Sequence, residues 1–332
     1  MFDRRNQILT IILVVQIAVA AFLFWPKPAA TSGGAPLLPD LKPGDVVALT
    51  VKAGDAQGGQ VELTREGDGW VLAAAAGYPA DSDKVEEILG KLEKVDTSRL
   101  VTQTDASHAR LQVADDNFNR LVQLQTKDGK GYDVYVGSTA GGTSTHVRAG
   151  GQPQVYLTNE IVSWDLNAQP SGWINTQYFT VPTTGTMKMS LTNANGIFEF
   201  LKDETGWQMA GLTADEQLNQ GNILAFYNQA RAVSLLEPIG KTDKPEFGMA
   251  SPSAVLTITN SDGGQEKTYT LTIGATETKE DATQPGSTTY VARSSESPYY
   301  VRLAGYTGGT FVDKKRTDFL QTEAETTTIP TP

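Results

Sequence analysis

Apolar and polar positions alternate along most of the chain, and in two places the alternation gives way to a longer period. Three short alternating stretches open the first region, VVALTVK, QVELTRE and GWVLAA, and three open the second, MKMSLTN, GIFEFLK and GWQMA. A side chain that changes face at every residue marks a half-buried strand, so each set predicts three strands. The period then lengthens. Val85, Ile88, Leu89, Leu92 and Val95 match Ile223, Phe226, Tyr227, Ala230 and Val233 at a constant offset of 138. Spacings of three and four residues place each set on one face of a helix. Thr213 and Glu216 have the spacing of a capping box for the second helix, and Asp83 with Glu86 fits that role in the first.

Strands joined by turns follow each helix. RLVQLQ and YDVYVG flank Asp128-Gly129, and AVLTITN and TYTLTIG flank Asp262-Gly263, pairs suited to the positive φ of a hairpin turn. THVRA and QVYLT follow in the first region, TTYVAR and PYYVRL in the second. Trp70 and Trp207 lie 137 apart, as do Gly137 and Gly274. Equal offsets at the front and middle of each region predict an α+β fold in which one module occurs twice, over residues 46–166 and 187–320, with a connection over 167–186. Each module is expected to be an antiparallel sheet with one long helix.

The segment from Ile8 to Trp25 has no charge over eighteen residues. At ~1.5 Å per residue a helix of that length just crosses a ~30 Å hydrocarbon core. Arg4 and Arg5 precede it, which favours a cytoplasmic N-terminus. The expectation is therefore a single-pass protein of the cell membrane: a cytoplasmic segment over 1–7, a transmembrane helix over 8–25, a proline-rich tether over 26–45, an extracytoplasmic ectodomain and a disordered tail over 321–332. Ala18-Val19-Ala20 has the small-x-small form of a cleavage site, so a cleaved signal peptide is the alternative.

Composition narrows the chemistry. The net charge of −11 argues against nucleic acid as a partner. With no cysteine, disulfides, thiolate nucleophiles and cysteine-ligated metals are excluded. His108 and His146 are the only histidines, too few for a histidine-rich metal site. The chain has no Gly-x-Ser-x-Gly and no Ser-x-x-Lys, and Gly141-Gly142-Thr143 and Gly308-Gly309-Thr310 lack a phosphate-binding lysine and fall between predicted strands. Asp81 with Asp83, and Asp115 with Asp116, fit caps and turns better than a calcium loop. No catalytic, cofactor-binding or metal-binding residue is expected, nor an enzyme. Trp70 and Trp207 read as core plugs. The remaining aromatics are candidate partner or ligand contacts: Trp173, Tyr178 and Phe179 in the connection, which also suit docking against the modules, and Tyr299, Tyr300 and Tyr306. Tyr299 and Tyr300 point to opposite faces of a strand, so at most one can meet a ligand.

The stretches YPADSDKVEEILGKLEKVDTSRLV and FGMASPSAVLTITNSDG, with the Phe-Gly-Met-x-x-Pro shape of the second, resemble domain of unknown function 4340, a family of bacterial envelope proteins. The resemblance runs over nearly all of Val46 to Leu320. It departs in the first copy, where Leu111-Gln112-Val113 stands in place of Phe-Gly-Met. Members typically carry an anchor followed by tandem copies and are often encoded beside gliding-motility-type ABC transporter components. The resemblance thus implies a membrane-anchored, non-enzymatic interaction or scaffold subunit of the cell envelope, accessory to an ABC-type transport complex and without cofactor. The alternative is a cell-wall or polysaccharide-binding module.

Overall fold

The computed structural model describes residues 34–54, 58–262, 264–281 and 284–321. Strands dominate it. The first sheet contains β1 (Val46–Ala53), β2 (Gln60–Glu66), β3 (Gly69–Leu72), β4 (Tyr78–Pro79), β5 (Leu100–Thr102), β6 (Arg120–Thr126), β7 (Gly131–Thr139), β8 (Thr145–Ala149) and β9 (Val155–Thr158). A short β10 (Gln177–Thr180) follows. The second sheet is built from β11 (Thr186–Asn193), β12 (Gly196–Asp203), β13 (Gly206–Met209), β15 (Glu237–Gly240), β16 (Ala254–Asp262), β17 (Gln265–Asp281), β18 (Gln284–Ser294) and β19 (Tyr300–Ala304), while β14 (Ala232–Ser234) pairs with β10.

The strand orders are β4-β3-β2-β1-β6-β7-β8-β9-β5 and β13-β12-β11-β16-β17-β18-β19-β15, with every pairing antiparallel. Apart from the two-residue β4, the second order repeats the first. In each sheet the strand after the helix leaves its sequence neighbours and pairs at the far edge, β5 on β9 and β15 on β19. Alternation decides which face is inside: Leu49 and Val51 of β1 and Met189 and Leu191 of β11 are fully buried. The Ser82–Lys94 helix covers the first inner face through Val85, Ile88, Leu89 and Leu92, and the Gln220–Ala230 helix covers the second through Ile223, Phe226, Tyr227 and Ala230. One hydrophobic core runs through both halves and contains Trp70 and Trp207.

Several expectations need correction. The α+β class with a long helix per module becomes a mostly antiparallel β architecture, because the helical periods are real but last only 13 and 11 residues, while antiparallel strands make up most of the other regular structure. Among the described residues no helix is long and apolar enough to cross a membrane. Residues 1–7 and 8–25 lie outside the described residues, so the single-pass membrane placement has no described helix behind it and does not stand. The tail over 321–332 lies outside them as well, except for Gln321.

Of the proline-rich tether expected over 26–45, residues 26–33 lie outside the described residues, and residues 34–45 are not free. Leu37, Leu38 and Leu41 are buried, the Leu37 N–H donates to the Val95 carbonyl at 2.8 Å, and the Thr97 N–H donates to the Ala35 carbonyl at 2.9 Å. Each leucine removed from water contributes ~1.5–3 kcal/mol, enough to hold an extended proline-rich segment against the core. The helix caps also shift. Asp81 caps the first helix by accepting from the Lys84 N–H at 3.1 Å, which frees Glu86 for other partners, and Asn219 caps the second. Thr213 and Glu216 close a turn ahead of that helix. Gly308 and Gly309 lie within the Gly305–Val312 helix, where a Cβ on Gly308 would meet a Tyr290 ring carbon at 2.2 Å.

Candidate functional site

Five of the six aromatic candidates are interior. The Trp173 indole N–H donates to the Asn167 carbonyl at 2.6 Å, and Phe179 is fully buried. The Tyr178 hydroxyl accepts from the Ser294 N–H at 2.8 Å and donates to the Tyr299 carbonyl at 2.5 Å. Tyr299 in turn donates its hydroxyl to the Gly77 carbonyl at 2.6 Å and stands edge-on to Tyr78 at 4.8 Å between centroids. Tyr78, Tyr178 and Tyr299 thus form a seam that ties the second sheet to the first. Burial pushes the Tyr178 hydroxyl up to about 12, against the opposing pull of the Ser294 hydrogen bond. Tyr300 packs on Phe247, 5.2 Å away. As partner contacts these five are corrected: large aromatic surface at a strand or seam is better satisfied inside than in water. Tyr306 differs, being 85% exposed.

A residue that sequence reasoning passed over is more prominent. Trp164 is 77% exposed, carried on the short Ser163–Asp165 turn. The turn is held from both sides: Ser163 is buried, and Asp165 accepts from the Val162 N–H at 3.3 Å and pairs with Lys91 at 3.2 Å. Between Trp164 and the Ser82–Lys94 helix lies a notch of about 490 Å³ edged by Asp81, Asp83, Glu87 and Asp165. Its two lysines are engaged. The Lys84 ammonium donates to the Gly172 carbonyl at 2.5 Å and sits 5.2 Å from the Trp173 ring, while Lys91 bridges Glu87 at 2.9 Å and Asp165. The hydrogen bond to Glu87 above all raises the Lys91 pKa. Asp83 makes no ion pair, and the Trp164 ring has no aromatic or cationic neighbour, among the described residues. The only sequence signal was its polar setting, Ser-Trp-Asp, which suits a turn better than a strand.

Other polar groups are structural. Arg148, almost fully buried, donates to the Val113 carbonyl at 2.7 Å and the Gln152 carbonyl at 3.2 Å, pairs with Asp115, and lies 4.3 Å from the Tyr135 ring centroid. Its hydrogen bond holds the Asp115 carboxyl below the usual range. His108 Nε2 is 2.9 Å from the Pro153 carbonyl and His146 Nδ1 2.8 Å from that of Ser138, so each ring is locked by backbone. Between the sheets a cleft of about 510 Å³ has Arg302 on its wall, spanned by Glu237 at 2.7 Å and Glu277 at 2.5 Å. No group of three or more metal-ligating side chains able to hold an ion occurs among the described residues.

The sequence model of the family described as Domain of unknown function (DUF4340) matches residues 70–252, more than half of the chain. The chain belongs to that family. In this DUF4340 protein the match begins at Trp70 in β3 and stops just before β16, so it crosses the tyrosine seam from one sheet into the other. Its extent is shorter than Val46 to Leu320, and it is one continuous stretch instead of one copy per sheet. The Phe247-Gly248-Met249 motif falls at its end. No curated protein and no solved structure matches this DUF4340 chain.

Proposed function

We propose that the chain is a non-enzymatic interaction subunit that docks a protein partner through the notch at Trp164. The observation that carries this is a tryptophan 77% exposed on a turn anchored by the buried Ser163 and by the hydrogen bond and ion pair of Asp165. Exposed indole area is costly to leave in water, and tryptophan is enriched among residues that dominate binding energy. The surrounding carboxylates set the partner's chemistry. With Lys84 and Lys91 already engaged and Asp83 unpaired, the notch favours a lysine- or arginine-bearing segment, in keeping with the net charge of −11. The family resemblance points to a component of an ABC-type transport complex as that partner.

The test is a photo-cross-linking residue placed at Trp164 in cells, with the same residue at Glu204 on the β12–β13 turn as control. A discrete adduct at 164 that disappears on Asp83→Lys supports docking. With the adduct partner purified, Trp164→Ala should weaken binding by about 2 kcal/mol, a thirtyfold rise in Kd, without changing the unfolding midpoint. Equal labelling at both positions, or an affinity untouched by Trp164→Ala, would dispose of the reading.

A further inference from the structure

Tyr306 lies at the other end of the molecule's chemistry. It lines a groove of about 240 Å³ between the end of the Gln220–Ala230 helix, β14 and the Gly305–Val312 helix. Ala232 and Phe311 give the groove an apolar floor, and Gln229, Ser234, Thr307 and Thr310 supply amide and hydroxyl groups. None of the lining residues carries a formal charge, on a chain whose net charge is −11. This is the opposite of the Trp164 notch with its four carboxylates.

The polar groups are also available. The Thr310 hydroxyl donates to the Tyr306 carbonyl at 2.9 Å, which leaves its lone pairs free to accept. Gln229, Ser234 and Thr307 spend no side-chain donor or acceptor on other described residues. The Tyr306 ring has no aromatic or cationic neighbour among them. An unshielded aromatic face beside neutral donors and acceptors over an apolar floor suits a ligand that is itself two-faced, with C–H groups on one side and hydroxyls around the rim. A pyranose ring has that character. A charged ligand would find no counter-ion here, and a long apolar one would leave the amide and hydroxyls unpaired. The volume lies below the ~300–1,000 Å³ of drug-sized pockets, which fits a single ring of a longer chain.

We propose that the groove at Tyr306 binds one ring of a neutral glycan, with Tyr306 as the stacking platform and Gln229, Ser234 and Thr307 reading its hydroxyls. The site is independent of docking at Trp164.

The experiment titrates the full chain with cellotetraose, maltotetraose and N-acetylchitotetraose, with tetragalacturonate as an anionic control, and follows binding by saturation-transfer NMR and calorimetry. At least one neutral oligosaccharide should bind with a Kd on the order of 1 mM or tighter. Tyr306→Ala should weaken it about tenfold, and Tyr306→Phe, which keeps the ring, should stay within about threefold of the parent. Ser234→Ala should cost a few-fold, and the anionic control should not bind. The exposed position of Tyr306 makes misfolding of these variants an unimportant risk, and Trp164→Ala should leave sugar binding unchanged. Failure of all three neutral probes to bind, binding that survives Tyr306→Ala, or a Tyr306-dependent self-association in sedimentation would each overturn the proposal.

Discussion

The indole N–H of Trp70 donates to Glu86 at 2.9 Å, and the same carboxylate accepts from Arg65 at 2.6 Å. In the second sheet the backbone N–H of Trp207 meets Gln220 at 3.1 Å as that of Trp70 meets Ser82 at 3.0 Å, which aligns Ser82 with Gln220 and, one helical turn on, Glu86 with Leu224. Leu224 can accept nothing. It stands 50% exposed while the Trp207 indole N–H is buried without an acceptor, and Lys202, at the place of Arg65, lies 5.7 Å from the ring. Leu224→Glu should therefore raise the stability of the second half by about 1 kcal/mol, and Glu86→Leu should lower that of the first by about 1–3 kcal/mol. Denaturant midpoints report both. A destabilised Leu224→Glu would mean that the two helices are not in the same register on their tryptophans.

Gly137 and Gly274 have a shared constraint. A Cβ on Gly137 would lie 2.2 Å from the Leu111 carbonyl oxygen, and one on Gly274 would lie 2.0 Å from that of Phe247. Backbone cannot step aside as a side chain can, so Gly137→Ala and Gly274→Ala should each cost about 3 kcal/mol in thermal or denaturant unfolding.

The residue after each of those carbonyl groups turns left-handed: Gly248 at φ 69° and Gln112 at φ 57°. Glycine adopts that region freely, and a glutamine does not. Gln112→Gly should stabilise the protein by about 0.5–1 kcal/mol, the relief of strain exceeding the added freedom of the unfolded chain. Lower stability in this variant would show that the Gln112 side chain makes a contribution larger than the backbone cost.

Tyr178→Phe removes one hydroxyl and leaves both the Ser294 N–H and the Tyr299 carbonyl without it, so it should cost about 1–3 kcal/mol and loosen the seam between the sheets. The pH dependence is specific. Because the folded pKa is raised to about 12, this contribution is complete below about pH 10 and is lost as pH rises from there through 12. Tyr178→Phe should flatten the alkaline limb of a stability profile over that window, and an unchanged limb would remove Tyr178 from the account.

Glu216 reports at the acid end. Its hydrogen bond from Arg316 first, and from the Thr213 N–H second, lowers its pKa to about 2 from 4.5. A depressed carboxylate stabilises above its unfolded value and loses that contribution as pH falls through the folded one. Stability should therefore decline between about pH 4.5 and 2, and Glu216→Gln should remove part of that decline, measured as unfolding midpoint against pH.

What was legible in the sequence was local. Alternation at β1, β2, β11 and β12 showed which side chains alternate, and the three- and four-residue spacing from Val85 to Leu92 and from Ile223 to Ala230 marked the helical faces, because those periods follow from backbone geometry alone. The 137-residue spacings of Trp70 with Trp207 and of Gly137 with Gly274 were readable because a packing site or a close backbone approach allows few residue types. The groove at Tyr306 was half visible: Tyr306 stood out as an aromatic, but Gln229 and Ser234 lie more than seventy positions away and carry no motif.

Tertiary structure decided what each of these groups faces. Trp164 and Trp173 are the same residue type nine positions apart, and nothing local says that one is held outward on a turn while the other is buried with its N–H on Asn167. Leu37, Leu38 and Leu41 read as part of a proline-rich spacer until the Val95 carbonyl supplies a partner and the core supplies cover. Tyr299 needs Gly77, 222 positions earlier, to become a strut between sheets instead of a surface ring. Periodicity is set by neighbours along the chain, whereas burial depends on which distant surface arrives opposite, and a residue's own sequence context contains no term for that contact.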